Sequence, residues 1–159
     1  MLGGTARAQT TIIEPPEARW PFQAWIDGGL LPTPTVTISV VEEDIYSPDW
    51  PCGESGACVE AAISPIYFGT IWRDAATARP LFWHEMGHEF DAYVLSEAQR
   101  ARLMVLLGFR DVPWWGGGEF SAAEEFANVY SDCATRRSMW TGNVSRLQRR
   151  LCHLIARMG

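Results

Sequence analysis

No long apolar run occurs in this chain of 159 residues. No stretch approaches the roughly 20 residues that a helix needs to cross a bilayer, so a membrane span is not expected. Basic charge is in short supply. Lys and Arg together number 13 against 19 Asp and Glu, a formal net charge of −6. That balance excludes wholesale binding of nucleic acid. No C-x-x-C pair occurs, so neither a cysteine-based structural metal site nor a thioredoxin-like redox motif is supported. Internal repeats and low-complexity tracts are missing too, which argues against a solenoid or a disordered linker. Histidine is scarce, with 3 in the whole chain. What remains is ordinary for a folded protein: 47% hydrophobic and 20% charged residues, on a length that suits a single sizeable core. The 8 tryptophans are many for this size. Some must line the core, and others are available for a groove that takes a substrate or partner.

The cysteines are Cys52, Cys58, Cys133 and Cys152. An even number with one short and one longer loop permits two disulfides. The favoured pairing is Cys52–Cys58 with Cys133–Cys152, one of three connectivities. Disulfides would place the protein in an oxidising setting, extracellular or virion-associated. Four buried thiols in a cytoplasmic protein are the competing reading. Ala6-Arg7-Ala8 has the small-x-small form of a signal-peptidase site. Met1 to Thr5, however, supply neither the basic nor the apolar segment expected before such a site.

Residues 1–35 read as an extended arm, because prolines at 15, 16, 21, 32 and 34 oppose a long helix. Within it a short helix from Phe22 to Asp27, stopped by Gly28-Gly29, is expected. Residues 36–159 read as the main domain. Val36–Val40 alternates apolar and polar residues and predicts a half-buried strand. Pro65–Trp72 predicts a second strand, placed at a sheet edge by Pro65 and Gly69. A helix is expected from about Thr77 to Tyr93, with Pro80 in its first turn. Ser96-Glu97-Ala98-Gln99 is a capping box that opens a second helix, and Gly108 ends it. Trp114-Trp115-Gly116-Gly117-Gly118 is an aromatic connection. Further helices are expected from near Ser121 to Arg136 and from about Asn143 to Arg157.

Two of the histidines fall in His84-Glu85-Met86-Gly87-His88, an H-E-x-x-H motif. On a helix, residues four apart are offset by only about 40° and lie one turn apart, so both imidazoles can reach one metal ion. Glu85, beside the first of them, can hold a water and act as its base. The competing reading is a polar helix face that matches by accident. A catalytic zinc site needs a third protein ligand, and the helix after Ser121 offers Glu124 and Glu125. Ser121 and Glu124 form S-x-x-E, a capping-box pattern that would turn the Glu124 carboxylate back to the helix start. Local physics therefore leaves Glu125 open as the alternative ligand. Asp91, one turn after His88, and Asp132, two turns after Glu124, are candidates for orienting a ligand histidine through its other ring nitrogen. His153, on an amphipathic helix beside Cys152, reads as a surface or satisfied residue. Tyr93 and Tyr130 are potential oxyanion donors that spacing does not separate.

His84-Glu85-Met86-Gly87-His88-Glu89-Phe90-Asp91, followed by Glu124-Glu125-Phe126-Ala127, resembles the gluzincin class of zinc metallopeptidases. The pattern is H-E-x-G-H-x-x-D and then E-x-F-A on a later helix. It is similar to lethal-factor-type peptidase domains, and more closely to small secreted peptidases of actinobacteria and their phages. The resemblance covers about residues 20–158. It implies an α+β, zincin-like fold in which a small twisted sheet packs on a zinc-binding helix and later helices close the core. It implies one zinc ion on His84, His88 and Glu124, with Glu85 as general base for hydrolysis of a peptide or protein substrate. It also implies an edge strand before the zinc helix that takes the substrate as an added strand. A zincin-fold module without catalysis, serving as a virion or cell-surface component, is the reading from another class. Other divalent metals share these ligand types.

Overall fold

The computed structural model describes residues 11–13, 16–40, 52, 57–59, 66–69, 73–110, 112–115, 120–141 and 144–159. In chain order the elements are β1 (Thr11–Ile13), α1 (Pro16–Gly28), β2 (Thr37–Val40), β3 (Ala57–Val59), β4 (Ile66–Phe68), α2 (Ala75–Val94), α3 (Glu97–Leu107), α4 (Ala122–Thr135), α5 (Ser138–Thr141) and α6 (Arg146–Ile155). The architecture is mixed α+β and mostly helical. Its sheet has four short strands in the order β1-β2-β4-β3. The first three run parallel, and β3 closes the sheet antiparallel to β4, with Ala57 opposite Phe68 and Val59 opposite Ile66.

The expected strand at Val36–Val40 is present as β2. Its alternation does what a half-buried strand requires: Ile38 and Val40 are buried, while Thr37 and Ser39 are half-buried. The second expected strand is present but misplaced. Among the described residues Ile66–Phe68 pairs, and it lies between β2 and β3 rather than at an edge. Gly69 lies outside the paired residues and does not keep β4 from having a partner on each side, while Pro65 lies outside the described residues. The described sheet ends on β1 and on β3, neither of which is expected from the sequence.

The arm is also less extended than expected. Residues 16–28 form α1, longer than the predicted Phe22–Asp27 turn. Pro16 occupies the first helical position, where its missing N–H is harmless. Pro21 is offset by tertiary packing, because Ala18, Phe22 and Trp25 share a buried face. The Phe22 ring meets Phe68 at 5.1 Å and Phe82 at 5.4 Å between centroids, so α1 belongs to the same core as β4 and α2.

Helix α2 is central and buries Phe82, Trp83, Met86 and Phe90. It begins two residues earlier than expected, because Asp74 caps it by accepting from the Ala76 N–H at 3.1 Å and the Thr77 hydroxyl at 2.8 Å. Pro80 consequently falls in the second turn. Its carbonyl accepts from the Ser131 hydroxyl of α4 at 2.8 Å. The Ser96–Gln99 capping box opens α3, and Gly108 closes it with φ of 87°, a left-handed conformation that glycine adopts without strain. A second capping box, Ser145–Gln148, starts α6 later than expected. Helix α4 packs most extensively on α2.

Both expected disulfides are present: Cys52–Cys58 tethers β3, and Cys133–Cys152 joins α4 to α6. They fit an oxidising, extracellular environment. Among the described residues no helix is long and apolar enough to cross a membrane.

Candidate metal centre

The site depends on how closely α4 approaches α2. Gly87 lies at the crossing, where a Cβ would sit 2.8 Å from the Ala127 Cα and 3.1 Å from the Tyr130 Cβ. Small residues on both helices let α4 bring Glu124 over the two histidines one turn apart on α2. Gly87→Ala should therefore push the helices apart. The expected loss is about 1–3 kcal/mol of stability together with weaker metal binding, read by denaturant unfolding and calorimetric zinc titration. An alanine variant with unchanged stability would show that α4 can shift at no cost.

The three side chains meet closely. The His84 Nε2 lies 3.2 Å from Glu124 Oε2, and the His88 Nε2 lies 3.2 Å from Glu124 Oε1. The two Nε2 atoms are 3.1 Å apart. Zinc bonds of about 2.0–2.1 Å in a tetrahedron give ligand–ligand edges of roughly 3.3–3.4 Å, so the spacing and the donor set both suit such an ion. His84, His88 and Glu124 thus form a group that could hold a metal. On the far side of the first ring, the Asn128 amide oxygen accepts from His84 Nδ1 at 2.9 Å. That bond assigns the proton to Nδ1 and leaves the Nε2 lone pair facing the cluster.

Glu124 is not held at the helix start. The Ser121 hydroxyl caps α4 by accepting from the Glu124 backbone N–H at 3.1 Å. The Glu124 side chain does not complete the box and turns to the histidines instead. Glu125 is exposed and stands outside the cluster.

Electrostatics at the cluster follow from burial and crowding. Glu85 is 5% exposed. Its pKa is pushed up to about 7, chiefly by burial, with the charges of Glu124 and Glu89 adding; His88 and a hydrogen bond to the Val59 backbone pull the other way. Glu89 is also raised to about 7 by burial, offset in part by His88. Burial lowers His84, helped by the charge of His88, against Glu124 and Asn128. Burial also pulls on His88, but the Glu124 hydrogen bond and the charges of Glu85, Glu124 and Asp91 outweigh it and raise this ring. The hydrogen bond from His88 holds Glu124 low.

These shifts set a pH dependence for metal-free protein. With folded pKa values above the ordinary 4.5, Glu85 and Glu89 keep protons that the unfolded chain has released. Stability then falls as pH rises from about 4.5 to about 7, by at most about 3 kcal/mol for each carboxylate. The raised His88 acts in the same direction through its folded pKa, while the lowered Glu124 and His84 oppose it. We expect a lower denaturation midpoint at pH 7.5 than at pH 5.5 in chelator. Added zinc should reverse the order, since metal binding requires deprotonated ligands. A higher midpoint at pH 7.5 in chelator would contradict the burial of these two carboxylates.

Several expected positions lie elsewhere. Asp91 is fully buried, but its hydrogen bonds come from Arg100 Nε at 2.5 Å and Trp114 Nε1 at 2.6 Å, not from a histidine. It anchors α3 and the tryptophan connection to α2, and acts on His88 only through its charge. Asp132 pairs with Arg136 one turn along α4 at 3.2 Å. The place beside His84 is taken by Asn128, one turn from Glu124, which the sequence reading passes over. Tyr130 is buried and its hydroxyl donates to the Pro32 carbonyl. Tyr93, by contrast, lines the cleft at the cluster. His153 is exposed and meets the Trp140 ring edge-on at 5.2 Å. Trp114 is buried and Trp115 exposed, while Gly116–Gly118 lie outside the described residues.

The cluster opens on a cleft of about 840 Å³ that is lined by β3 and by Tyr93, Arg100 and Trp115. Comparison with protein-family models finds no match, and comparisons with curated proteins and with solved structures likewise find none.

Proposed function

We propose that this protein hydrolyses peptide bonds with a divalent ion, zinc by ligand type, held by His84, His88 and Glu124. The observation that carries this reading is the mutual spacing of those three ligand atoms in a cleft that also presents Glu85. When bound, the ion supplies Lewis acidity to the water and to the scissile carbonyl. Glu85 receives the proton of the attacking water and passes it to the leaving amine. Burial raises this carboxyl while the charge of a bound ion would draw it back down, opposing pulls that suit a group that both takes and gives a proton. Asn128 holds the His84 ring in the tautomer that leaves Nε2 for the metal.

Strand β3 supports a peptide as the substrate. It is a terminal strand of the sheet among the described residues and lines the same cleft, so an extended chain laid in that cleft runs beside it. The Cys52–Cys58 disulfide holds this edge in place. The test is cleavage of a broad peptide library by zinc-loaded, disulfide-intact protein. Cuts should disappear with a chelator and return with zinc. A zinc-loaded protein that cuts no library peptide would overturn the reading.

A further inference from the structure

Glu89 has no place in the proposed hydrolysis, yet its setting needs a physical cause. It is 0% exposed, and neither carboxylate oxygen has a hydrogen-bond partner among the described residues. Burying an unpaired carboxylate is costly, and natural proteins rarely tolerate one without a use. Protonation does not cure the deficit, because the acid O–H would lack an acceptor. Glu89 nevertheless lines the cleft, next to His88. A partner that arrives with the bound molecule would complete it, by displacing the side chains that close the carboxylate off from the cleft.

The surroundings say what chemistry that partner carries. Ala92 and Tyr93 follow Glu89 by three and four residues, so they share its face of α2, and both line the cleft. Tyr93 brings an aromatic ring to the cleft, and Trp115, 58% exposed, brings a second. A carboxylate bordering a cleft that also carries two aromatic rings suits a cation, which gains from the ion pair and from the ring faces together. The cleft's own arginine is engaged elsewhere: Arg100 binds the Asp91 carboxylate and, at 2.5 Å, the Asp91 carbonyl. A single carboxylate offers too few ligands for a second metal ion.

We propose that Glu89 is the floor of a side-chain subsite that takes a cationic residue, lysine or arginine, of the substrate. The identity of that molecule as a peptide to be cut rests on the hydrolase reading; the affinity of the cleft for an organic cation does not.

The test uses zinc-loaded, disulfide-intact protein and has two readouts. The first is kcat/KM on peptides that carry arginine, lysine, citrulline or norleucine at each position in turn. At one position the cationic residues should be favoured at least about tenfold. Glu89→Gln should erase that preference, read as the ratio of kcat/KM for cationic over neutral peptides within one preparation, so that any change in Glu85 from the lost Glu89 charge cancels. The second readout is calorimetric binding of benzamidine, with benzamide as the neutral control. Glu89→Gln should weaken benzamidine about tenfold and leave benzamide unchanged. Glu89→Met guards against misfolding of the amide variant: it should melt at a higher temperature, having lost a buried unpaired carboxylate, and it should lose the cation preference too. Cleavage with no cationic preference, or with a preference that survives both variants, overturns the subsite and leaves hydrolysis intact. No cleavage with Glu89-dependent benzamidine binding overturns hydrolysis and keeps the subsite. Neither cleavage nor benzamidine binding overturns both.

Discussion

Glu85→Gln should lower peptide turnover by about 10²–10⁴-fold while zinc stays bound. Glu85 and Gln have nearly the same shape, and an amide oxygen can still accept the Val59 backbone hydrogen bond that the carboxylate accepts. What the variant loses is the ability to take a proton from water and release it to an amine. Zinc should dissociate no more than several-fold more easily, because Glu85 is outside the group of three ligand atoms and contributes only its charge. Metal-free Glu85→Gln should even be more stable above pH 7, since one of two buried, mutually repelling carboxylates is gone. Turnover and zinc content measured on the same preparation separate the outcomes. Turnover within tenfold of the original would remove Glu85 as the base. Turnover and zinc lost together would make it part of the metal site instead.

The helices of the site are legible in the sequence because their signals are local. Ser96 and Ser121 cap two successive helices, and the four-residue spacing of His84 and His88 needs nothing beyond helical geometry, whereas the Asp74 cap goes unread and sets the expected start of α2 two residues late. The sheet is harder to read, because its strands are three or four residues long and their pairing is long-range. Strand β3 is three residues long and carries a disulfide cysteine, so no alternation marks it. Sequence therefore puts the edge at Ile66–Trp72, one strand too far in. Proline in the arm outweighs, in a local reading, a buried face of Ala18, Phe22 and Trp25 that only the folded core rewards.

Within the site, the reach of each side chain decides what sequence can say. Counting turns places Asp132 near a histidine, but an arginine four residues on is the closer partner. Asn128 is within reach of the same reasoning, being one turn from Glu124 on the face that meets α2. Asp91 is on the right side of α2, yet Arg100 and Trp114 lie in segments whose return to α2 no local pattern announces. Glu89 is only a letter of the motif in the sequence; its isolation is a property of the packed cleft.

A series at α4 tests the ligand set itself. Glu124→Gln should weaken zinc binding by about 100-fold or more, Asn128→Ala by about 10-fold, and Glu125→Gln by less than about twofold. The order follows from geometry. Glu124 brings one oxygen to 3.2 Å from each histidine, Asn128 holds His84 from behind at 2.9 Å, and Glu125 faces away. Calorimetric titration gives the affinities, but a variant that merely distorts α4 would also bind zinc poorly. The histidine titrations of chelated protein separate the two causes. Glu124 raises the His88 pKa by hydrogen bond and by charge, so Glu124→Gln should lower it. Asn128 also raises its partner, so Asn128→Ala should lower the His84 pKa and leave His88 nearly unmoved. A general loosening of α4 would instead expose both rings and carry both titrations toward the ordinary histidine value. Equal zinc affinity in Glu124→Gln and Glu125→Gln would mean that the S-x-x-E pattern keeps Glu124 at the helix cap in solution, and that the metal site is not the one assembled from α2 and α4.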